Sequence, residues 1–189
     1  MKRHGILLSF AALLLFACDP FYDADPVDPR LPVYSEKGEN RAGAYINGYA
    51  WNSGGGYTDF QMYYRSDQNA TEITFPIASL NSGTNDVDPT ARISFFLNRN
   101  LRQEFMQNTQ FQPLEIILDG IENYAELEIT SSSEILNCSG GEGKFFIRHV
   151  SQNASYWIIS GTFGFDINTE CGVHTVYQGR FDFRVDLFQ

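Results

Sequence analysis

Apolar and polar residues alternate with period two through most of this chain, most clearly near its end. Over 156–167, Trp157, Ile159, Gly161, Phe163 and Phe165 fall on one side of an extended segment. Over 175–188, Tyr177, Phe181, Phe183, Val185 and Leu187 oppose Gln178, Arg180, Asp182, Arg184 and Asp186. Such alternation predicts strands with one buried and one wet face. Shorter runs of the same kind lie at 59–65 (Phe60, Met62, Tyr64), 71–79 (Ile73, Phe75, Ile77), 91–97, 114–118, 125–129 and 144–150. Pro76 faces away from the apolar side of its run; without an N–H to donate, it predicts an edge or a bulge. Between 44–46 and 49–51, Asn47-Gly48 supplies the positive φ angles of a type I′ hairpin. Helical spacing appears at 100–107, where Asn100 is the cap and Leu101 and Phe105 stand four apart. About ten short strands with at most one short helix predict an all-β fold, an antiparallel β-sandwich or flattened β-barrel.

The first residues follow a different pattern. Lys2 and Arg3 precede an apolar run from Ile6 to Phe16 that contains one polar residue, Ser9. The run is too short for a bilayer-spanning helix, which needs about 20 apolar residues, and has the length of a secretory h-region. Its end, Leu15-Phe16-Ala17-Cys18, resembles a bacterial lipobox, which implies cleavage after Ala17 and a lipid on Cys18. The expected organisation is a signal peptide at 1–17, the lipidated cysteine with an acidic, Pro-rich tether at 18–40, and a single β domain at 41–189. Residues 19–40 hold four of the seven prolines of the chain and six acids; missing backbone donors and charge repulsion favour an extended tether. Asp23, Asp25 and Asp28 lack the glycine and terminal Glu of a calcium loop. Three cysteines are an odd number for an exported protein. Lipidation of Cys18 leaves Cys138 and Cys171, which we expect to form a disulfide in an oxidising compartment. Neither belongs to a CxxC pair, so no metal site is expected from them.

Charge narrows the partners. Losing Lys2 and Arg3 leaves 11 of 13 basic side chains against 23 acids, a formal charge of −12. Nucleic acid is disfavoured, because phosphate binding needs clustered Lys and Arg. Attachment to a membrane then rests on the lipid at Cys18 rather than on anionic headgroups. Signs of catalysis are few. His149 and His174 stand apart without a ligand-spaced partner, and no GxSxG elbow is present. The densest acidic group, Glu115, Asp119, Glu122, Glu126 and Glu128, is the place a glycosidase pair would sit, yet Glu126 and Glu128 fall on the polar side of a strand. Asn85, Asp86 and Asp88 read as a turn as readily as a calcium loop. No cofactor is expected. The aromatic group is the main candidate contact surface: Tyr45, Tyr49 and Trp51 share sequence parity and Tyr57 follows closely. Exposed rings of this kind bind sugars, aromatic-lined barrels hold apolar ligands, and the same rings also serve as plain core packing.

Residues 31–51 carry Leu31-Pro32, Gly38-Glu39-Asn40, and Asn47-Gly48 with Trp51; the far end carries Ile159-Ser160-Gly161-Thr162-Phe163-Gly164-Phe165 and Gly179-Arg180-Phe181-Asp182. In this order the motifs resemble a family of uncharacterised lipoproteins of Bacteroidetes. Many members carry a cysteine near the first hairpin, where this chain has Ala44. The resemblance implies location and broad fold, not an activity or a ligand. Acidic residues after the lipidated cysteine, here from Asp19, resemble the surface-export signal of that group and imply the outer membrane, on either face. The expectation is therefore a lipid-anchored cell-envelope protein, non-enzymatic, that binds an envelope protein or a glycan or serves envelope assembly. The alternatives are a calycin-like barrel carrying a small apolar ligand and, behind it, a glycan-active enzyme.

Overall fold

The computed structural model describes residues 30–53, 60–79, 90–107, 110–131, 134–153 and 155–186. Ten strands occur in the order β1 (Arg41–Ile46), β2 (Tyr49–Asn52), β3 (Gln61–Arg65), β4 (Ala70–Ser79), β5 (Thr90–Leu97), β6 (Leu114–Asp119), β7 (Tyr124–Thr130), β8 (Ile135–Gln152), β9 (Tyr156–Thr169) and β10 (Gly172–Asp186). Among the described residues there is one short helix, α1 (Leu101–Gln107), between β5 and β6. All pairings are antiparallel. The bonded path runs β2-β1-β10-β9-β8-β7-β5-β4 and returns from β4 to β2, a flattened barrel. Its seam is slight, resting on Trp51 opposite Ser79 and Asn52 opposite Ala78. Strand β3 covers the other part of this β4 edge as far as Thr74. Pro76 sits between the two, where no strand among the described residues pairs with β4 on that side and a missing N–H is tolerated.

Strand β8 is the hinge of the sheet. Its first half pairs with β7 and its second half with β6 on one edge and β9 on the other. The change of partner falls in the run Ser139-Gly140-Gly141-Glu142-Gly143. A Cβ on Gly143 would stand 2.2 Å from the Gly164 carbonyl oxygen, so only glycine permits the close approach of β9. This run also breaks the alternation, which is why the expected strand at 144–150 is less than half of the observed one. Strand β10 departs from expectation too. A bulge between Val176 and Gly179, with Gln178 at φ 52°, shifts the register. Val176 therefore points inward and Tyr177 outward, whereas unbroken alternation puts Tyr177 on the side of Phe181 and Phe183.

The interior is filled by rings. Phe75, Phe95, Phe145, Phe163, Phe165, Phe181 and Phe183 are all almost wholly buried. Phe145 lies 4.5 Å from Phe95 and 5.2 Å from Phe181 between ring centres, and Phe75 lies 5.4 Å from Phe163. Each such side chain contributes about 1.5–3 kcal/mol through burial. Helix α1 packs on this core. Asn100 caps it by accepting the Gln103 N–H at 2.9 Å, Leu101 and Phe105 are buried, and Phe105 meets Trp157 edge-on at 5.7 Å. Elsewhere, the Asn47-Gly48 turn has φ angles of 51° and 85°, and Asn47 binds the backbone of Thr175 through both its N–H and its side-chain oxygen. The Cys138–Cys171 disulfide joins the first half of β8 to the β9–β10 turn with a Cα separation of 5.7 Å.

Candidate functional site

Residues 30–40, expected as part of the tether, instead lie as a strap on the outside of the barrel. Leu31 is buried with Tyr45 and Ala50, and Arg30 donates to the Tyr45 hydroxyl at 2.9 Å. Pro32 presses on Gly43, where a Cβ would come within 2.5 Å of the proline ring. The strap is fastened by one carboxylate. Asp182, itself buried, accepts the backbone N–H groups of Gly38 at 2.8 Å, Glu39 at 3.0 Å and Lys37 at 3.3 Å, and the Ser160 hydroxyl at 2.7 Å. Gly38 reaches this position at φ 68°, against the Arg184 side chain. Asn40, at φ 56°, accepts the Arg184 N–H at 2.9 Å. The motifs at the two ends of the sequence thus meet in space: Gly38 and Glu39 bond Asp182 and Asn40 bonds Arg184, while Leu31-Pro32 rests on Tyr45, Ala50 and Gly43. Their low hydrophobicity hid the packing, because backbone N–H groups rather than apolar side chains make most of it. Residues 18–29, with Cys18, lie outside the described residues.

A polar cluster borders the strap. The Tyr34 hydroxyl donates to Glu36 at 3.0 Å, Glu36 lies 3.5 Å from the His149 ring, and the Arg148 guanidinium stands over the Tyr34 ring. Burial, then the hydrogen bond to Glu36, pushes the Tyr34 phenol far above its ordinary value. The other titratable candidates are scattered. Glu126 accepts the Ser139 hydroxyl at 3.0 Å, Glu115 lies 3.6 Å from Lys144, and Asp119 closes its own turn. His174 is bonded to Asn47 at 3.1 Å and sits beside Cys138 and Cys171, but those sulfurs are bonded to each other. Asn85, Asp86 and Asp88 lie outside the described residues.

The candidate contact aromatics do not form one surface. Equal parity places residues on one face only within a strand. Across the two-residue turn, Ala44 pairs with Trp51 and Tyr45 with Ala50, so Tyr45 and Trp51 point to opposite faces. Tyr45 is buried outside the barrel wall, stacked on Tyr177 at 5.1 Å. Trp51 belongs to the core and Tyr49 is 61% exposed. Tyr57 lies outside the described residues.

A different set of rings lines a cleft of about 170 Å³ where β3, the first turn of α1 and the ends of β9 and β10 meet. Phe60, Tyr63, Tyr64 and Trp157 provide its rings, and Arg102 and Arg184 its cations. Phe60 is held by stacking on Phe183 at 4.1 Å. Tyr63 and Tyr64 are 52% and 38% exposed, while Trp157 is 3% exposed. The Trp157 indole N–H is buried and has no hydrogen-bond partner among the described residues. The Arg184 guanidinium lies over the Tyr156 ring at 5.2 Å. Sequence reasoning missed this site because its parts come from four elements separated by up to 126 positions (Phe60 to Asp186). The one legible signal was the aromatic run of residues 60–64.

Among the described residues no helix is long and apolar enough to cross a membrane. Compared with protein families, curated proteins and solved structures, the chain finds no match in any of the three.

Proposed function

We propose that this chain is a lipid-anchored cell-envelope protein of the Bacteroidetes lipoprotein type, which binds its partner on the outside of its barrel and catalyses no reaction. The supporting observation is the filled interior: contacting phenylalanine rings occupy the volume in which a carrier barrel of the calycin kind would hold an apolar ligand. Binding by such a body falls to its surface, and the ring-lined cleft beside β3 is a concave part of that surface that combines aromatic rings with polar groups. The apolar run at 6–16 and Cys18 support the anchor, and an acidic chain of net charge −10 supports a partner other than nucleic acid.

The test combines metabolic labelling with an alkyne fatty acid and native mass spectrometry of protein extracted from membranes. The expected result is label on the wild-type chain, none on Cys18→Ala, and a mass with no retained apolar molecule. Label persisting in the variant would overturn the anchor. An apolar molecule retained in the barrel would restore the carrier reading. Hydrolysis of a glycan or ester abolished by a single Glu or His substitution would overturn the non-enzymatic one.

A further inference from the structure

We infer that a partner protein inserts an extended segment into the barrel wall between β3 and the end of β10, where it pairs as an added strand. The inference rests on the surface-binding reading above and names the partner as a polypeptide. Register fixes the place. Arg180 stands level with Gly43, Asn52 and Ala78 through three successive pairings, so β1 and β2 fill the wall between β10 and β4 at this height. Four residues along, Arg184 is level with Thr74 and hence with Gln61 at the start of β3. Here β3 lies beside β4 on the line of β2. The line of β1 has no strand among the described residues, because residues 37–40 leave it to bond Asp182 and Arg184. Among the described residues the wall is therefore one strand short. The cleft opens at this position, lined by residues 60–64 on one side and 184–186 on the other.

Two strand edges on either side of one cleft specify the occupant, because an extended backbone presents donors and acceptors to both at once. Among the described residues β3 pairs with β4 alone, without a bulge. It holds no proline or lysine of the kind that protects an edge, and its one charge, Arg65, is bonded to Glu72 of β4. Strands β3 and β10 run in the same direction, so the added strand is antiparallel to both, as β1 is to β2 and β10. Its side chains follow from the two faces of the wall. Phe60, Met62 and Val185 pack partly buried against the core, whereas Gln61, Tyr63, Arg184 and Asp186 are exposed. A strand in this place carries apolar residues at alternate positions. Arg184 and Asp186 offset one another and Arg102 has an interaction of its own, so the lining suits a strand of low net charge. Trp157 is the second, independent sign. Its indole N–H is buried in the lining with no acceptor among the described residues, and such groups are normally paired. A backbone carbonyl of the added strand would accept it.

The test selects heptapeptides displayed on phage against the full-length protein in lipid nanodiscs, and the tightest binder is synthesised as the probe. Its sequence is expected to alternate apolar and polar residues. Hydrogen exchange locates it. The Arg184 N–H already meets Asn40 on the β1 side, so the Asp186 N–H, two residues on, points to the same side. On binding, the Asp186 amide and alternate amides within residues 61–65 are expected to slow about tenfold or more. The indole signal of Trp157, told apart from that of Trp51 with Trp157→Phe, is expected to shift while that of Trp51 stays in place. Two N-methylated versions of the probe, one for each set of alternate residues, keep its side chains but remove the donors that face one edge. Insertion between β3 and β10 predicts that each version binds about tenfold more weakly or worse. No selected peptide, full binding by either N-methylated version, or protection confined to other segments overturns the inference. Such a failure leaves the fatty-acid label on Cys18 untouched, whereas loss of that label overturns the envelope reading and leaves the peptide result standing.

Discussion

Replacing Asp182 tests whether one carboxylate holds the strap to the barrel. Four donors converge on it, and two of the four contacts, from the Gly38 N–H at 2.8 Å and the Ser160 hydroxyl at 2.7 Å, are buried. In Asp182→Ala these two donors lose their acceptor, at about 1–3 kcal/mol each. The Lys37 and Glu39 N–H groups are only partly buried and turn to water at little cost. The expected loss is about 4 kcal/mol, in the range for breaking a buried charged network and about a quarter or more of the stability of an ordinary domain. Asp182→Asn keeps the volume and one carbonyl oxygen, so about 2–3 kcal/mol is expected. Urea denaturation reads both: with an m-value of about 2 kcal/mol/M, the alanine variant unfolds about 2 M earlier. Hydrogen exchange at the Gly38 amide is the local readout and should become fast in both variants. A midpoint in Asp182→Asn within about 0.3 M of wild type, with Gly38 still protected, would refute the assignment of the clamp.

Three further outcomes are expected. Reducing the Cys138–Cys171 bridge, which spans 33 positions, should cost about 4 kcal/mol on the chain-entropy estimate, measured as a lower urea midpoint with reductant or in the double Cys→Ser variant. In Gly161→Ala the new Cβ would lie 2.1 Å from the Phe146 carbonyl oxygen; β8 and β9 would have to part, and thermal unfolding should show a loss of about 3 kcal/mol or more. Asp119 accepts the backbone N–H groups of Ile121, Asn123 and Glu122, which hold its carboxyl below the usual aspartate value. A depressed carboxyl favours the fold above the unfolded pKa and loses that contribution as pH falls through the folded one. A carboxyl NMR titration should place its midpoint below the ordinary range, and Asp119→Asn should flatten the acid side of the stability curve.

The legible parts of the fold were those in which one local rule acts alone. In strand β9 the inward residues are the expected ones from Trp157 to Phe165, although Ser160 and Thr162 on its other face are buried as well. The Asn47-Gly48 turn and the Asn100 cap follow from backbone chemistry of single residues. The disulfide followed from counting cysteines. Reading failed where a second influence enters. The glycines at 140, 141 and 143 mask half of β8 because they serve the approach of β9 rather than a turn. The bulge at Gln178 reverses the faces of β10. Tyr45 and Trp51 share parity but not a face, because register across a hairpin counts from the turn. The cleft was the least legible feature, since no local pattern marks Arg102, Trp157 and Arg184 as neighbours.

The strap also orders events in time. The carboxylate lies 144 and 145 positions from Gly38 and Lys37, so residues 37–39 lack their acceptor until the final strand exists, whereas Arg30, Leu31 and Pro32 already meet Tyr45, Ala50 and Gly43 in β1 and β2. Contacts of such long range close late and slowly. Strands β8, β9 and β10 must be in register before the carboxylate that receives Lys37, Gly38 and Glu39 is in place. Docking of the strap therefore reports that the sheet has been completed. A chain truncated before β10 lacks the acceptors of residues 37–40, and this segment is expected to be cut by protease sooner than in the intact protein.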